Sequence, residues 1–255
     1  MRIVVAVKQV GALGDEVEFT EDERDVDPDF LDYALNEWDS YATEEALQLR
    51  ERGSGDGEVV VVTCGDEESE DALRRALAMG ADRAIRVWSD DLRGADPITV
   101  ARALAPIVEG ESPDLVLAGV QSSDSVQAAT GTGLAELLGL PRVAVVTSVA
   151  WDEGAGPATV RRELEGGLVD VVEVDIPALL TIQTGINEPR YATLRAIKQA
   201  EQKEIDVREP DSVGEPAYRV RRMFVPPKGE GAEMLDGSSA DVAQRIAEIV
   251  KERLA

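Results

Sequence analysis

The sequence predicts an α/β protein: a mostly parallel sheet with helices on both faces, an added antiparallel hairpin, and a C-terminal linker and helix. Three observations lead there. Short β-branched runs alternate with amphipathic stretches that open on polar residues and close on Gly, the rhythm of βαβ units. After Trp151 the rhythm changes, and two strand-like runs flank a tight Glu165-Gly166-Gly167 turn. From Ala217 onward, prolines, glycines and weak periodicity lead into one last amphipathic stretch. We divide the chain accordingly into an α/β domain, 1–215, and a C-terminal arm and helix, 216–255.

Taken in order, 2–10 (RIVVAVKQV), 58–65 (EVVVVTCG), 83–88 (RAIRVW) and 114–120 (DLVLAGV) read as buried strands. Between them, 39–53, 66–80 and 96–110 have the helical pattern, with the polar openings and Gly closings that helix ends require. The next helix is expected over about Gln127–Leu138 and the next strand over 142–151. Runs 159–164 and 168–175 make the hairpin, and 177–185 (PALLTIQTG) one further strand. A final helix, Ser239 to Leu254, has Val242, Ile246, Ile249, Val250 and Leu254 on one face. That stripe needs cover, either on its own domain or on a partner subunit.

With 44% hydrophobic residues in 255 the chain can bury a large core, and 4% aromatics leave that core to Val, Ile, Leu and Ala. The charge is lopsided, 51 acidic against 26 basic residues, net −25. Such a surface repels nucleic acid and anionic membranes. The acid is spread along the chain, which suits a halophile's salty cytoplasm, where screening shrinks to roughly 3 Å at 1 M. An ordinary acidic, solvated surface is the plainer alternative.

Cys64 is the sole cysteine, so no intrachain disulfide forms and a reducing compartment fits. No signal peptide is expected ahead of MRIVVAVKQV, and no apolar run approaches the roughly 20 residues of a membrane span. The expectation is a cytoplasmic protein with no membrane insertion. Histidine is absent, which removes His-based triads, His metal sites and the commonest general base. One cysteine removes thiolate zinc sites, and no carboxylate cluster for magnesium stands out. No catalytic and no metal-binding residue is expected.

Open parallel sheets bind ligands beyond the carboxyl ends of their strands. Three such ends are conspicuous: Ala6 to Lys8, Thr63-Cys64-Gly65, and Gly119, which leads into GVQSSDSVQAATGTG. Amides at the start of the following helix, with the hydroxyls of Ser123, Ser125 and Thr130, suit a phosphate. The stretch is neither a Walker A loop nor GxGxxG. Ser, Asp and Gly also serve any strand-to-helix turn.

The motifs VAVKQV (5–10), ALAMGADRAI (76–85), DLVLAGVQSSD (114–124), VRRELEGGL (160–168) and NEPRYATLRAI (187–197) occur in an order and spacing similar to those of electron-transfer flavoprotein β subunits. The resemblance covers roughly residues 1–205. It implies an electron carrier rather than an enzyme, the β chain of an αβ heterodimer. Such a carrier accepts electrons from flavin dehydrogenases, such as acyl-CoA dehydrogenases, and passes them to a quinone reductase or similar acceptor. The α subunit then holds the redox-active FAD, and the β chain buries a structural AMP.

Carried over by position, the AMP pocket would use Ala6, Asn36, Cys64, the loop Asp124, Ser125, Val126, Gln127, Ala128, Ala129, Thr130 and Gly131, and Ala135. Asp124, Gln127, Thr130 and Gly131 would meet the phosphate and ribose. Cys64 lines the adenine on this reading and is an inert buried thiol on the other. The run DSVQAATGTG lacks the richer Asp/Asn/Gln run of many AMP-binding members. It also lacks the DGDTAQVGP-like pattern of bifurcating members that bind a second FAD. AMP is the expectation and a second FAD its alternative. Trp38 falls where relatives have an aromatic close to the α-subunit flavin; a core or interface Trp is the other reading.

The same resemblance makes the segment after NEPRYATL a recognition loop. Its Leu194 would enter an apolar pocket on the dehydrogenase, with Tyr191, Arg195 and Ile197 beside it. One buried Leu contributes about 1.5–3 kcal/mol, enough to orient a transient complex without trapping it. The plainer reading packs Leu194 on Ile197 of its own helix. Relatives continue with Pro and a lysine-rich run, whereas here Arg195, Lys198 and Lys203 are diluted by Glu201 and Glu204. Charge steering is then weak and apolar anchoring matters more. Pro189 and Arg190 are read as shaping the loop. The alternative function is a stand-alone adenine-nucleotide-binding module of universal-stress type, which would end near residue 150. A nucleotide hydrolase of the same fold lacks histidine and a magnesium cluster.

Overall fold

The computed structural model describes residues 1–14, 16–53, 56–152, 154, 156–227, 229, 231–232 and 234–254. In chain order the elements are β1 (Arg2–Ala6), β2 (Gln9–Leu13), β3 (Leu31–Leu35), α1 (Glu37–Arg52), β4 (Glu58–Cys64), α2 (Glu70–Met79), β5 (Arg83–Val87) and α3 (Pro97–Gly110). They continue with β6 (Leu115–Gly119), α4 (Thr130–Leu137), β7 (Arg142–Ala150), β8 (Ala158–Leu164), β9 (Leu168–Val174), β10 (Ala178–Ile182), α5 (Leu194–Glu201), β11 (Ile205–Arg208) and α6 (Ser239–Leu254). The chain forms two compact units, Met1–Met223 and Phe224–Ala255.

The described residues of the first unit build a nine-stranded sheet in the order β11-β5-β4-β1-β6-β10-β7-β8-β9. Pairing is parallel from β11 to β7 and antiparallel for β8 and β9, so the expected hairpin extends one edge. Strand side chains alternate between two cores, as the pleat requires. Ile3, Val5, Val59, Val61, Leu115 and Leu117 pack with residues of α1 and α2 on one face. Val4, Val60, Val62, Val116 and Leu179 pack with α3 and α4 on the other. Strands buried on both faces are why the sequence shows near-continuous apolar runs.

Several elements differ from expectation. The run 2–10 is two strands, because the chain leaves the sheet at Val7-Lys8 and pairs Gln9–Leu13 with Leu31–Leu35 in a separate antiparallel ribbon. The helix expected from Gln127 starts at Thr130, since Val126 (φ 52) and Ala128 (φ 50) stand in the left-handed region and break a right-handed helix. The short strand β11 was not legible, because Ile205–Arg208 alternates with charge at the outer edge beside β5. At the amino ends of the strands, Glu111 accepts from Arg83 (2.8 Å) and Arg208 (3.0 Å), and Arg2 pairs with Glu58 (2.8 Å).

In the second unit, α6 has no buried residue, and Ile246, Val250 and Leu254 of its apolar stripe are exposed. Among the described residues no helix is long and apolar enough to cross a membrane.

Candidate functional site

The chain steps outward from β1 to β4 and β5, then returns to β6 on the other side of β1. This reversal is the switch point where open α/β sheets place ligands. Asp39, in the first turn of α1 and only 5% exposed, ties the two strand ends together. The Lys8 amide donates to its Oδ2 at 2.7 Å and the Gly119 amide to its Oδ1 at 3.0 Å. Burial pushes this carboxyl up to about 7, while bonds from Lys8, Asn36 and Gly119 pull the other way. Gly119 must lack a side chain: a Cβ there would collide with the Asp39 carboxyl and come within 2.6 Å of Trp38 Cβ.

Asn36 stands at the N-cap of α1, but its side chain makes no capping bond. Its Nδ2 donates to the Gln121 carbonyl at 2.8 Å, and its Oδ1 accepts from the Ser123 amide at 3.2 Å, so it holds the loop after β6 instead. In that loop Lys8 Nζ donates to the Asp124 carboxylate at 2.7 Å. Burial acts to raise the Asp124 carboxyl, but the bonds from Lys8 and Ser122 outweigh it and hold the group below its ordinary value. The hydroxyls of Ser122 and Ser125 lie 2.9 Å apart. The chain then turns through Val126, Gln127 and Ala128 into α4, whose N-cap, Ala129, supplies no side-chain acceptor. First-turn amides without a side-chain cap, beside Ser125, Thr130 and a lysine, are a donor set that fits a phosphate.

The structure thus brings Asn36 to Gln121 and Ser123, at the entry of the loop that continues through 124–130. Ala6 and Cys64 end β1 and β4 and pack on the core beside α3 and α4. Burial pushes the Cys64 thiol up to about 12, leaving it unreactive at neutral pH. Gly131 and Ala135 are buried beneath the loop. A Cβ on Gly131 would come within 3.0 Å of Thr181 Cγ2 and 3.4 Å of Ala118 Cβ, so this glycine lets α4 approach β6 and β10. Trp38 is half-buried, and its indole N–H donates to Gln183 Oε1 at 2.9 Å.

The NEPRYATL segment is pinned to α1. Arg190 forks between Glu44 (2.7 Å) and Glu51 (2.7 Å), and Asn187 Nδ2 donates to the Tyr41 carbonyl (3.1 Å) and Glu45 (3.1 Å). Burial acts to raise the Glu44 carboxyl, but the Arg190 guanidinium reverses this and holds it below the usual range. The Thr193 hydroxyl accepts from the Ala196 amide at 3.2 Å and caps α5. Leu194 therefore opens a helix rather than lying within a loop. It is 81% exposed and Tyr191 is 88% exposed, with Arg195 exposed beside them; Ile197 turns inward onto the core.

Sequence reasoning marked Lys8 and Gly119 as strand ends at a ligand crevice but gave them no role, and it missed Asp39 and Gln183 as site residues. Lys8 had a signal, a lone lysine ending an apolar strand in an acidic chain. Asp39 had a misleading one, because an acid three residues after Asn36 reads as an ordinary helix-capping pattern. Among the described residues, no group of three or more His, Cys, Asp or Glu is placed to hold a metal ion.

A mostly parallel sheet with an anion-suited loop at its switch point defines an open α/β protein of the ligand-holding class. The model of the electron transfer flavoprotein domain matches residues 29–213. A β subunit of electron transfer flavoprotein from Methylophilus methylotrophus is 47% identical over 261 residues, covering 99% of this chain and 98% of the relative. The β subunit from Syntrophomonas wolfei subsp. wolfei is 35% identical over 251 residues (98% and 96%), and that from Bacillus subtilis 33% over 233 residues (89% and 89%). The chain belongs to the electron transfer flavoprotein β-subunit family.

Proposed function

We propose that this chain is the β half of an αβ electron carrier working in a salty cytoplasm. It takes electrons from flavin dehydrogenases, acyl-CoA dehydrogenases among them, and hands them to a quinone reductase or similar acceptor. Membership of the family implies association with flavin and an α-subunit partner. On this reading the FAD sits mainly in the α subunit and supplies the redox step, and this chain holds AMP. Lys8, Ser125, Thr130 and the first amides of α4 would face the phosphate, with Asn36 fixing the loop. The acidic carboxylate Asp124 neutralises Lys8 until an anion competes for it. The apolar face of α6 would find its cover on the α subunit.

One observation supports the carrier role most: an apolar side chain, Leu194, is 81% exposed on a segment that Asn187 and Arg190 fasten to α1. A large exposed hydrophobe on a braced element suits docking rather than packing. The test is flavin reduction in the heterodimer by a substrate-reduced acyl-CoA dehydrogenase, followed by stopped flow. Leu194→Ala should weaken the dependence on dehydrogenase concentration by roughly tenfold or more while flavin and nucleotide content stay unchanged. Equal rates at every dehydrogenase concentration would remove Leu194 from recognition.

A further inference from the structure

The segment after β11, residues 209–223, has no regular structure, yet it is fastened along its length. Val213 packs on the core beside α3. Arg102 Nη1 donates to the Glu215 carbonyl at 3.0 Å, and the Ala217 amide donates to Asp96 Oδ2 at 2.7 Å. Farther on, the Met223 amide donates to the Glu23 carbonyl at 2.7 Å, and Arg222 Nε lies 2.7 Å from the Glu23 carboxylate. Asp96 is a fixed anchor: it is buried and caps α3 by accepting from the amides of Ile98 and Thr99. The segment therefore runs from the outer edge of the sheet, past the start of α3, toward the 16–27 loop.

Between these anchors the Tyr218 hydroxyl donates to Gln127 Oε1. Gln127 is the residue flanked by the two left-handed positions that turn the 124–129 loop into α4. Tyr218 is 46% exposed, so core packing does not account for its position. The bond also sets the direction of the Gln127 amide. With its oxygen taken by a phenol, the amide keeps its N–H groups as donors, the end that suits ribose or phosphate oxygens. A strap that orders an otherwise irregular loop lowers the entropy a ligand must remove on binding.

We propose that Tyr218 belongs to the nucleotide site, closing the 209–223 strap over the 124–131 loop and orienting Gln127 toward the sugar-phosphate of an adenine nucleotide. The inference rests on the reading that this loop holds such a nucleotide. The experiment uses the αβ complex as purified. Bound AMP is quantified after acid release, and its exchange with isotope-labelled AMP is timed in the unaltered protein, Tyr218→Phe and Tyr218→Ala.

Loss of the hydroxyl should speed exchange about fivefold in Tyr218→Phe, the worth of one hydrogen bond. Tyr218→Ala should exchange faster still, with FAD content and the melting temperature of the nucleotide-free complex unchanged. Exchange at the unaltered rate in both variants, from a complex that does hold AMP, overturns the role of Tyr218 alone. A drop in the melting temperature of the nucleotide-free form with unaltered exchange assigns the residue to packing and overturns it too. An unaltered complex that contains no adenine nucleotide overturns the site reading and this inference with it.

Discussion

At the strand ends, Asn36, just before α1, and Asp39, in its first turn, join the segment after β1 to the end of β6 and the loop beyond it. Farther along the same helix, Tyr41, Glu44, Glu45 and Glu51 hold the 187–190 segment from outside. In both places polar groups set backbone position; what differs is what remains. At the crevice the remainder is amides, hydroxyls and an ammonium, a surface for an anion. At the outer segment the remainder is Tyr191 and Leu194, a surface for an apolar pocket. On the function proposed above, one helix would support a retained ligand at its start and a transient contact along its length.

The crevice is most sensitive at Gly119. Gly119→Val should destabilise the protein by about 3 kcal/mol, because the new side chain meets both Asp39 and Trp38. Urea unfolding should show the lower midpoint, and the purified complex should lose nucleotide. Next comes Arg190→Ala, which leaves the buried Glu44 carboxylate without its guanidinium and should cost roughly 1.5–3 kcal/mol. Hydrogen exchange should rise across 187–197 and dehydrogenase turnover should fall, while bound AMP stays. Loss of AMP in this variant would show that the two regions are not separable.

A smaller effect is expected from pH. Asp39 has a folded-state value of about 7 against 3.8 for the free carboxyl. The folded protein therefore keeps a proton that the unfolded chain has released. That contribution is full below 3.8 and is lost as pH rises through about 7. Asp39→Asn should flatten the pH dependence of the urea midpoint between these values, and an unchanged slope would assign it to other groups. The smallest effect is on the surface as a whole. Raising KCl from about 0.1 M to about 2 M should lift the melting temperature by a few degrees by screening the net −25 charge. A falling melting temperature would remove the halophilic reading.

What the sequence reveals follows from how local its cause is. The central strands are legible because Val59, Val60, Val61 and Val62 are all buried, on alternate faces. The β8–β9 hairpin is legible because its turn chemistry is local. The loop from Asp124 to Thr130 stands out by composition and by resemblance. By contrast, Lys8 meets Asp124 across 116 residues of chain and Gly119 meets Asp39 across 80, and nothing in either residue's neighbours marks its partner. The ribbon of β2 and β3 is hidden for a similar reason. Asp39 captures the Lys8 amide and ends the first strand, so the apolar run 2–10 conceals a break. Gly131 looks like a phosphate-loop glycine in sequence, whereas its nearest side chains are Thr181 and Ala118 of the sheet.

What this chain holds at the strand ends decides between a single-path carrier and its alternatives. Co-expression with the α partner, acid release of bound ligands and quantification by mass spectrometry would measure it directly. The expected result is one FAD and one AMP per heterodimer, with the AMP lost in Gly119→Val. Two FAD per heterodimer would put a second flavin at the 124–131 loop and contradict the single-path carrier proposed here; no adenine nucleotide beyond one FAD would contradict the site itself.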